Sequence, residues 1–301
     1  MQFHRLADIG LDPVGDPSLA TIARGASGQL LALGTDHVLK LFDDQAADSM
    51  IEREAFASRL AARAGLPVPA ALDFVRYDGA RAILYPRVHG VSMADELRRR
   101  PLRGERLLRR WMMLCRQMHM VVPDGLRSFK DVCRTDMLHG PLPDRVKFPA
   151  IEYLESLPDG DRLLHGDLHI GNVMLADEAL ILVDWSKAAR GDPAADLVRM
   201  DMLMRFGVGP TGLVVGIWRD WATRACQRAY RDIGDVPPER LAAWRPIVAL
   251  AWLRVGIPKR AKRFLQYANQ SAQRVGLPPI ELAELRWRAS TGSDGKSFLG
   301  N

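Results

Sequence analysis

Short apolar runs bounded by small or turn-forming residues open this chain, and stretches with apolar positions three and four residues apart dominate its second half. Ile22–Leu33 reads as a strand, a turn at Gly25-Ala26-Ser27-Gly28 and a second strand. Val38-Leu39-Lys40-Leu41-Phe42 reads as the next strand and Ala46–Ala64 as a helix, which Gly65-Leu66-Pro67-Val68-Pro69 stops before a further strand begins. Arg81-Ala82-Ile83-Leu84-Tyr85 is another strand, closed by Pro86-Arg87-Val88-His89-Gly90. Leu102–Val122 carries Leu107, Leu108, Trp111, Leu114, Cys115 and Met118 at helical spacing. Prolines and glycines interrupt Val122–Pro149, which predicts an irregular excursion with short helical pieces, and Pro158-Asp159-Gly160-Asp161 predicts a turn. Val173–Asp184 predicts a strand, a turn at Ala176-Asp177-Glu178 and a strand; from Asp192 to about Val275 the pattern is helical, and Ser290–Asn301 is expected to fray. The order predicts an α+β chain: a small lobe of antiparallel strands with one helix over residues 1–88, then a larger, mostly helical lobe over residues 89–301.

Within that framework, His165-Gly166-Asp167-Leu168-His169-Ile170-Gly171-Asn172, followed by Leu180-Ile181-Leu182-Val183 and Asp184, places an acid, an amide and a second acid where phosphoryl transfer needs them. A carboxylate must orient and deprotonate an attacking hydroxyl, and oxygen ligands must hold magnesium on the nucleotide phosphates. Asp167 suits the first task, Asn172 and Asp184 the second. The strand-turn-strand between Asn172 and Asp184 returns the second acid beside the loop.

These residues resemble the catalytic and metal-binding core of the aminoglycoside phosphotransferase and choline kinase group, relatives of the protein kinases. The group's H-G-D-x-x-x-x-N followed by (I/V)-D-W is met by His165–Asn172 and Val183-Asp184-Trp185. Protein kinases carry Arg before the catalytic Asp, Lys two positions after it and Phe-Gly after the metal Asp. Gly166, His169 and Trp185-Ser186 stand there instead, which points to a small-molecule acceptor.

The resemblance implies a bilobal protein kinase-like fold with the active site in the cleft between lobes, ATP (or GTP) as donor and Mg2+ as companion ion. It implies that Lys40 holds the α/β-phosphates and pairs with a Glu on the following helix. Glu54 fits best, in Glu-Ala-x-x-x-Arg-Leu, with Glu52 as fallback. Read by itself, Lys40 is also compatible with an edge-strand gatekeeper. The Gly25, Ser27 and Gly28 turn would cover the nucleotide with backbone N–H groups, although such a turn also makes an ordinary hairpin. Main-chain groups from Tyr85 to Val88 would meet the adenine edge. Gly191-Asp192-Pro193-Ala194-Ala195-Asp196-Leu197 resembles the group's G-D-P-x-x-D-(L/V), making Asp196 a support for the catalytic-loop backbone, with His165 packed into the same loop. Asp192 before Pro193 is also a good helix start.

Composition agrees with an intracellular enzyme. Of 301 residues, 48% are hydrophobic, enough for two lobes around one cleft. Cys115, Cys133 and Cys226 are few and scattered, as expected of reduced thiols in a cytoplasmic protein, and no signal-peptide core or membrane-length apolar run is present. The net charge of +6 raises nucleic-acid or membrane-surface binding as a second class. Arg98-Arg99-Arg100 with Arg103, Arg106, Arg109 and Arg110, and Lys259-Arg260 with Lys262-Arg263, are its clusters, but no base-reading motif accompanies them, so neither a specific nucleic acid nor a membrane is expected as partner. A catalytically silent, nucleotide-binding regulator is the alternative within the same fold.

The acceptor is less defined. Residues 197–301 hold seventeen Lys/Arg against eight Asp/Glu. A polycationic acceptor would need acids, with Asp201, Asp232, Asp235 and Glu239 as candidates; a neutral or anionic hydroxylated metabolite or sugar is at least as well suited. Trp218, Trp221, Trp244 and Trp252 are core residues by default, with room for one or two in an acceptor pocket. A monomer or homodimer is expected.

Overall fold

The computed structural model describes residues 2–11, 19–25, 28–207, 209, 212–234 and 236–287. In chain order the strands are β1 (His4–Arg5), β2 (Thr21–Gly25), β3 (Gly28–Leu33), β4 (His37–Phe42), β5 (Asp73–Tyr77), β6 (Ala80–Pro86), β7 (Val91–Ser92), β8 (Arg162–Leu164), β9 (Val173–Ala176), β10 (Ala179–Leu182) and β11 (Ala189–Gly191). The helices are α1 (Asp48–Arg63), α2 (Met93–Arg99), α3 (Gly104–Met118), α4 (Phe129–His139), α5 (Asp144–Ser156), α6 (Pro193–Phe206), α7 (Leu213–Ile233), α8 (Pro238–Trp252) and α9 (Ala261–Gln273). The chain forms two compact units: one runs to Val121 and includes Ile170–Ala188, the other comprises Val122–His169 and the chain from Ala189.

In the first unit, six strands form one sheet in the order β1-β5-β6-β4-β3-β2, antiparallel except for the β1–β5 pair. Side chains alternate across its faces. Leu31, Leu33, Leu39, Val75, Ala82 and Leu84 build the core on one face, while Phe42 and Ile83 pack with Ile51 and Ala55 of α1 on the other. Two residues before Phe42 and two after Ile83, Lys40 and Tyr85 fall on the face that α1 covers. A second sheet, β10-β9-β7, makes the expected strand-turn-strand, with Ala179 opposite Ala176. Asp177 takes the left-handed conformation, φ 53°, as a two-residue hairpin turn requires.

In the second unit β8 and β11 pair antiparallel, Leu164 opposite Ala189, and α6 packs against α7 and α8. Helix α6 is buried along most of its length, from Ala194 to Met204, and therefore lacks a single apolar stripe. Trp244 is fully buried, edge-on to Phe129 at 6.1 Å, whereas Trp218, Trp221 and Trp252 are half-buried.

The segment expected to be irregular is more helical than its prolines suggest. Ser128 caps α4 by accepting the Lys130 N–H, and Pro143 immediately precedes α5. Pro149 lies inside α5, where burial of Val146, Ala150 and Leu154 holds the helix despite the missing N–H. Ser290–Asn301 lies outside the described residues. Among the described residues no helix is long and apolar enough to cross a membrane.

Candidate active site

Lys40 lies on β4, an interior strand, opposite Leu30 of β3 and Ile83 of β6. That placement removes the edge-strand explanation, because both edges of β4 are paired. The lysine is 7% exposed, and two anions compensate its burial: Nζ is 2.7 Å from Glu54 Oε1 and 3.0 Å from Asp184 Oδ1. Burial alone would lower the ammonium's pKa, but the charges of Glu54 and Asp184 outweigh it and hold it above the ordinary 10.5. Glu54 is 1% exposed on α1; Glu52, its fallback, is exposed. The Tyr85 hydroxyl donates to Glu54 Oε1 at 3.1 Å, a side-chain role its place in the sequence did not indicate.

Asp184 follows β10 in the left-handed conformation, φ 64°, uncommon for a residue with a side chain. Its Oδ1 also accepts the Ser186 N–H at 3.4 Å. One residue earlier, the Val183 N–H donates to the Asn172 carbonyl at 3.0 Å, so the backbone ties the segment carrying the amide to the segment carrying the acid. The first unit thus gathers Lys40, Glu54, Tyr85 and Asp184, with Asn172 fixed beside Val183.

The β2–β3 hairpin places Gly25 opposite Gly28, while Ser27 lies outside the described residues. Gly28 has φ 139°, and a Cβ there would lie 1.9 Å from the Leu41 carbonyl oxygen, so only glycine permits β3 to approach β4 this closely. Tyr85 pairs in register with Val38, and Val88 follows the end of β6. Between them, the Arg87 N–H is already donated to the Asp36 carbonyl at 2.8 Å.

In the second unit, Asp196 Oδ2 accepts the His165 N–H and Oδ1 the Gly166 N–H, both at 2.9 Å, with the carboxylate fully buried. The Asp167 N–H donates to His165 Nδ1 at 3.3 Å. His169 Nε2 is 3.9 Å from Asp167 Oδ2. The Gly166 carbonyl is held too, by the Nε–H of Arg199. Arg199 lies three residues after Asp196, on the same face of α6, so helical spacing alone could have drawn attention to it. At the start of α6, Asp192 caps the helix through the Ala194 N–H and accepts from Arg240 Nε at 2.6 Å and Trp244 Nε1 at 2.9 Å.

Among the described residues, no three His, Cys, Asp or Glu side chains cluster as a metal site. One amide and one carboxylate suit a hard cation that takes its remaining oxygens from phosphate and water. Several arginines of the first basic cluster are answered locally: Arg98 by Asp95 at 2.8 Å, Arg103 by Glu96 at 2.9 Å and Arg110 by Glu178 at 3.5 Å.

One unit holds an interior-strand lysine met by a helix glutamate and by the acid after a second hairpin, and the other holds an H-G-D loop braced by a helix carboxylate; each has the features of a phosphotransferase of kinase-like fold. The chain belongs to the APH phosphotransferase enzyme family, whose match spans residues 18–233. Comparison with the curated proteins finds no match. Among solved structures, an amicoumacin kinase in complex with AMP-PNP, Ca2+ and Ami is 13% identical, with a TM-score of 0.60 over 92% of this chain and 94% of that one. A thermostable mutant of aminoglycoside phosphotransferase APH(4)-Ia, with AMP-PNP and hygromycin B, is 17% identical, with a TM-score of 0.59 over 89% and 95%. A choline/ethanolamine kinase family protein from Mesorhizobium loti is 21% identical, with a TM-score of 0.56 over 89% and 91%.

Proposed function

We propose that this phosphotransferase moves the γ-phosphoryl group of ATP, with Mg2+ as companion ion, to a hydroxyl of a small molecule. The observation that carries the reading is the Lys40–Glu54–Asp184 network, a buried strand lysine paired with a buried acid on α1 and with the half-buried acid that follows β10. Lys40, oriented by Glu54, binds the α/β-phosphates; Asn172 and Asp184 supply oxygen to the metal; backbone at Gly25 and Gly28, with Ser27, covers the nucleotide, and main-chain groups from Tyr85 to Val88 receive the base. Asp167 takes the proton of the acceptor hydroxyl as that oxygen bonds to phosphorus and the bond to the departing ADP breaks. Bound Mg2+ neutralises charge on the phosphate oxygens. His165 and Asp196 hold the loop that aims Asp167. The AMP-PNP bound in two structural neighbours supports an adenine nucleotide as donor.

The test is Asp167→Asn, assayed by ATP consumption against a panel of hydroxylated acceptors and by calorimetric nucleotide binding. Nucleotide affinity should persist while turnover falls by ~10² to 10⁴, the usual worth of a general base. Undiminished turnover overturns the role of Asp167. Asp184→Ala should abolish Mg-dependent nucleotide binding.

A further inference from the structure

From the second unit we infer that Arg199, set over the ring of Trp252, is an oxyanion-binding subsite for the acceptor beside Asp167. The inference rests on the phosphotransferase reading above and names its substrate class: an alcohol that also carries a carboxylate or a phosphate.

Arg199 is only partly buried, yet two contacts hold it in place. Its Nε–H is donated to the carbonyl of Gly166, the residue immediately before Asp167, and its Cζ lies 5.8 Å from the centroid of the Trp252 ring. Bracing a single carbonyl uses one of the five guanidinium donors. Among the described residues, no acceptor meets the remaining Nη1 and Nη2 groups. A guanidinium held at one nitrogen and open at the other two matches an oxyanion in geometry as well as charge. Placed one residue from Asp167, it would hold the acceptor's anionic end while a hydroxyl elsewhere on the molecule reaches the base.

The acids that a cationic acceptor would require are engaged or peripheral. Asp201 is 2% exposed and accepts from Arg205 Nε at 2.7 Å and the Tyr267 hydroxyl at 3.0 Å. Asp220 meets Arg205 at 2.7 Å and Arg263 at 3.8 Å. Asp232 and Glu239 are exposed, and Asp235 lies outside the described residues. The excess of seventeen cations over eight anions in residues 197–301 adds a field of the same sign.

The experiment measures ATP consumption by the full-length wild type, Arg199→Met and Arg199→Lys with matched alcohols: glucosamine, glucose, glucuronate and glucose 6-phosphate. Wild type should favour at least one anionic member, the two anionic arms distinguishing carboxylate from phosphate. Arg199→Met should raise KM for that member by about 10- to 100-fold. Its neutral counterpart should change KM by less than about threefold, while any fall in kcat common to both measures the lost hold on Gly166. Arg199→Lys should keep part of the anion preference. A wild type that prefers the neutral or cationic member, or a KM rise equal for charged and neutral acceptors, overturns the subsite and leaves the phosphotransferase reading standing. Mg-nucleotide binding, measured in parallel by calorimetry, separates the two: binding without turnover of either anion overturns the subsite alone, and absence of binding overturns the phosphotransferase reading and the subsite with it.

Discussion

Lys40 of β4 and Glu54 of α1 form a buried ion pair, Nζ to Oε1 2.7 Å, fourteen residues apart in sequence. Neither group would be stable in that interior without the other. Replacing Glu54 with Gln removes the charge and keeps the shape, so its effects report the pair itself. Chemical denaturation should show a loss of about 3–5 kcal/mol, toward the lower end because Asp184 still faces the lysine. Catalytic efficiency should fall by about 10- to 100-fold through a misdirected Lys40. Unchanged stability would show that the pair contributes nothing to the fold.

Asp196 meets two backbone donors at once, and Asp196→Asn sets an NH2 group against one of them. The expected cost is about 1–3 kcal/mol in denaturant unfolding. Because the donors belong to His165 and Gly166, kcat should fall while KM for ATP changes little. A variant with normal kcat would show that the loop keeps its shape without the carboxylate.

The three cysteines are buried. Burial pushes the Cys133 thiol up to about 12 and the Cys226 thiol higher still. A thiol whose folded-state pKa lies above its unfolded 9.0 contributes stability in full below pH 9, and loses it as pH rises toward 12, because the unfolded chain sheds its proton first. Stability should therefore fall more steeply over that alkaline window in wild type than in a Cys133→Ala, Cys226→Ala variant. At about pH 8 a thiol reagent should label the native protein slowly and the denatured protein fully. Fast native labelling at Cys133 or Cys226 would contradict this burial.

The sequence by itself determined what short range can encode. The eight residues His165–Asn172, the acid closing the strand-turn-strand, the helix carrying Glu54 and the helix start at Asp192 are local patterns, set by chain stiffness and side-chain periodicity. Tertiary structure decided which partners each charge meets. Lys40 became an interior rather than an edge residue only when β3 and β6 paired on either side of it, and Asp184 reached it from 144 positions away. The hydroxyl of Tyr85, the full length of the helical pieces expected in Val122–Pro149 and the placement of Arg199 between Gly166 and Trp252 were hidden, because burial and long-range packing, absent from any short window of residues, supply the energy that fixes them.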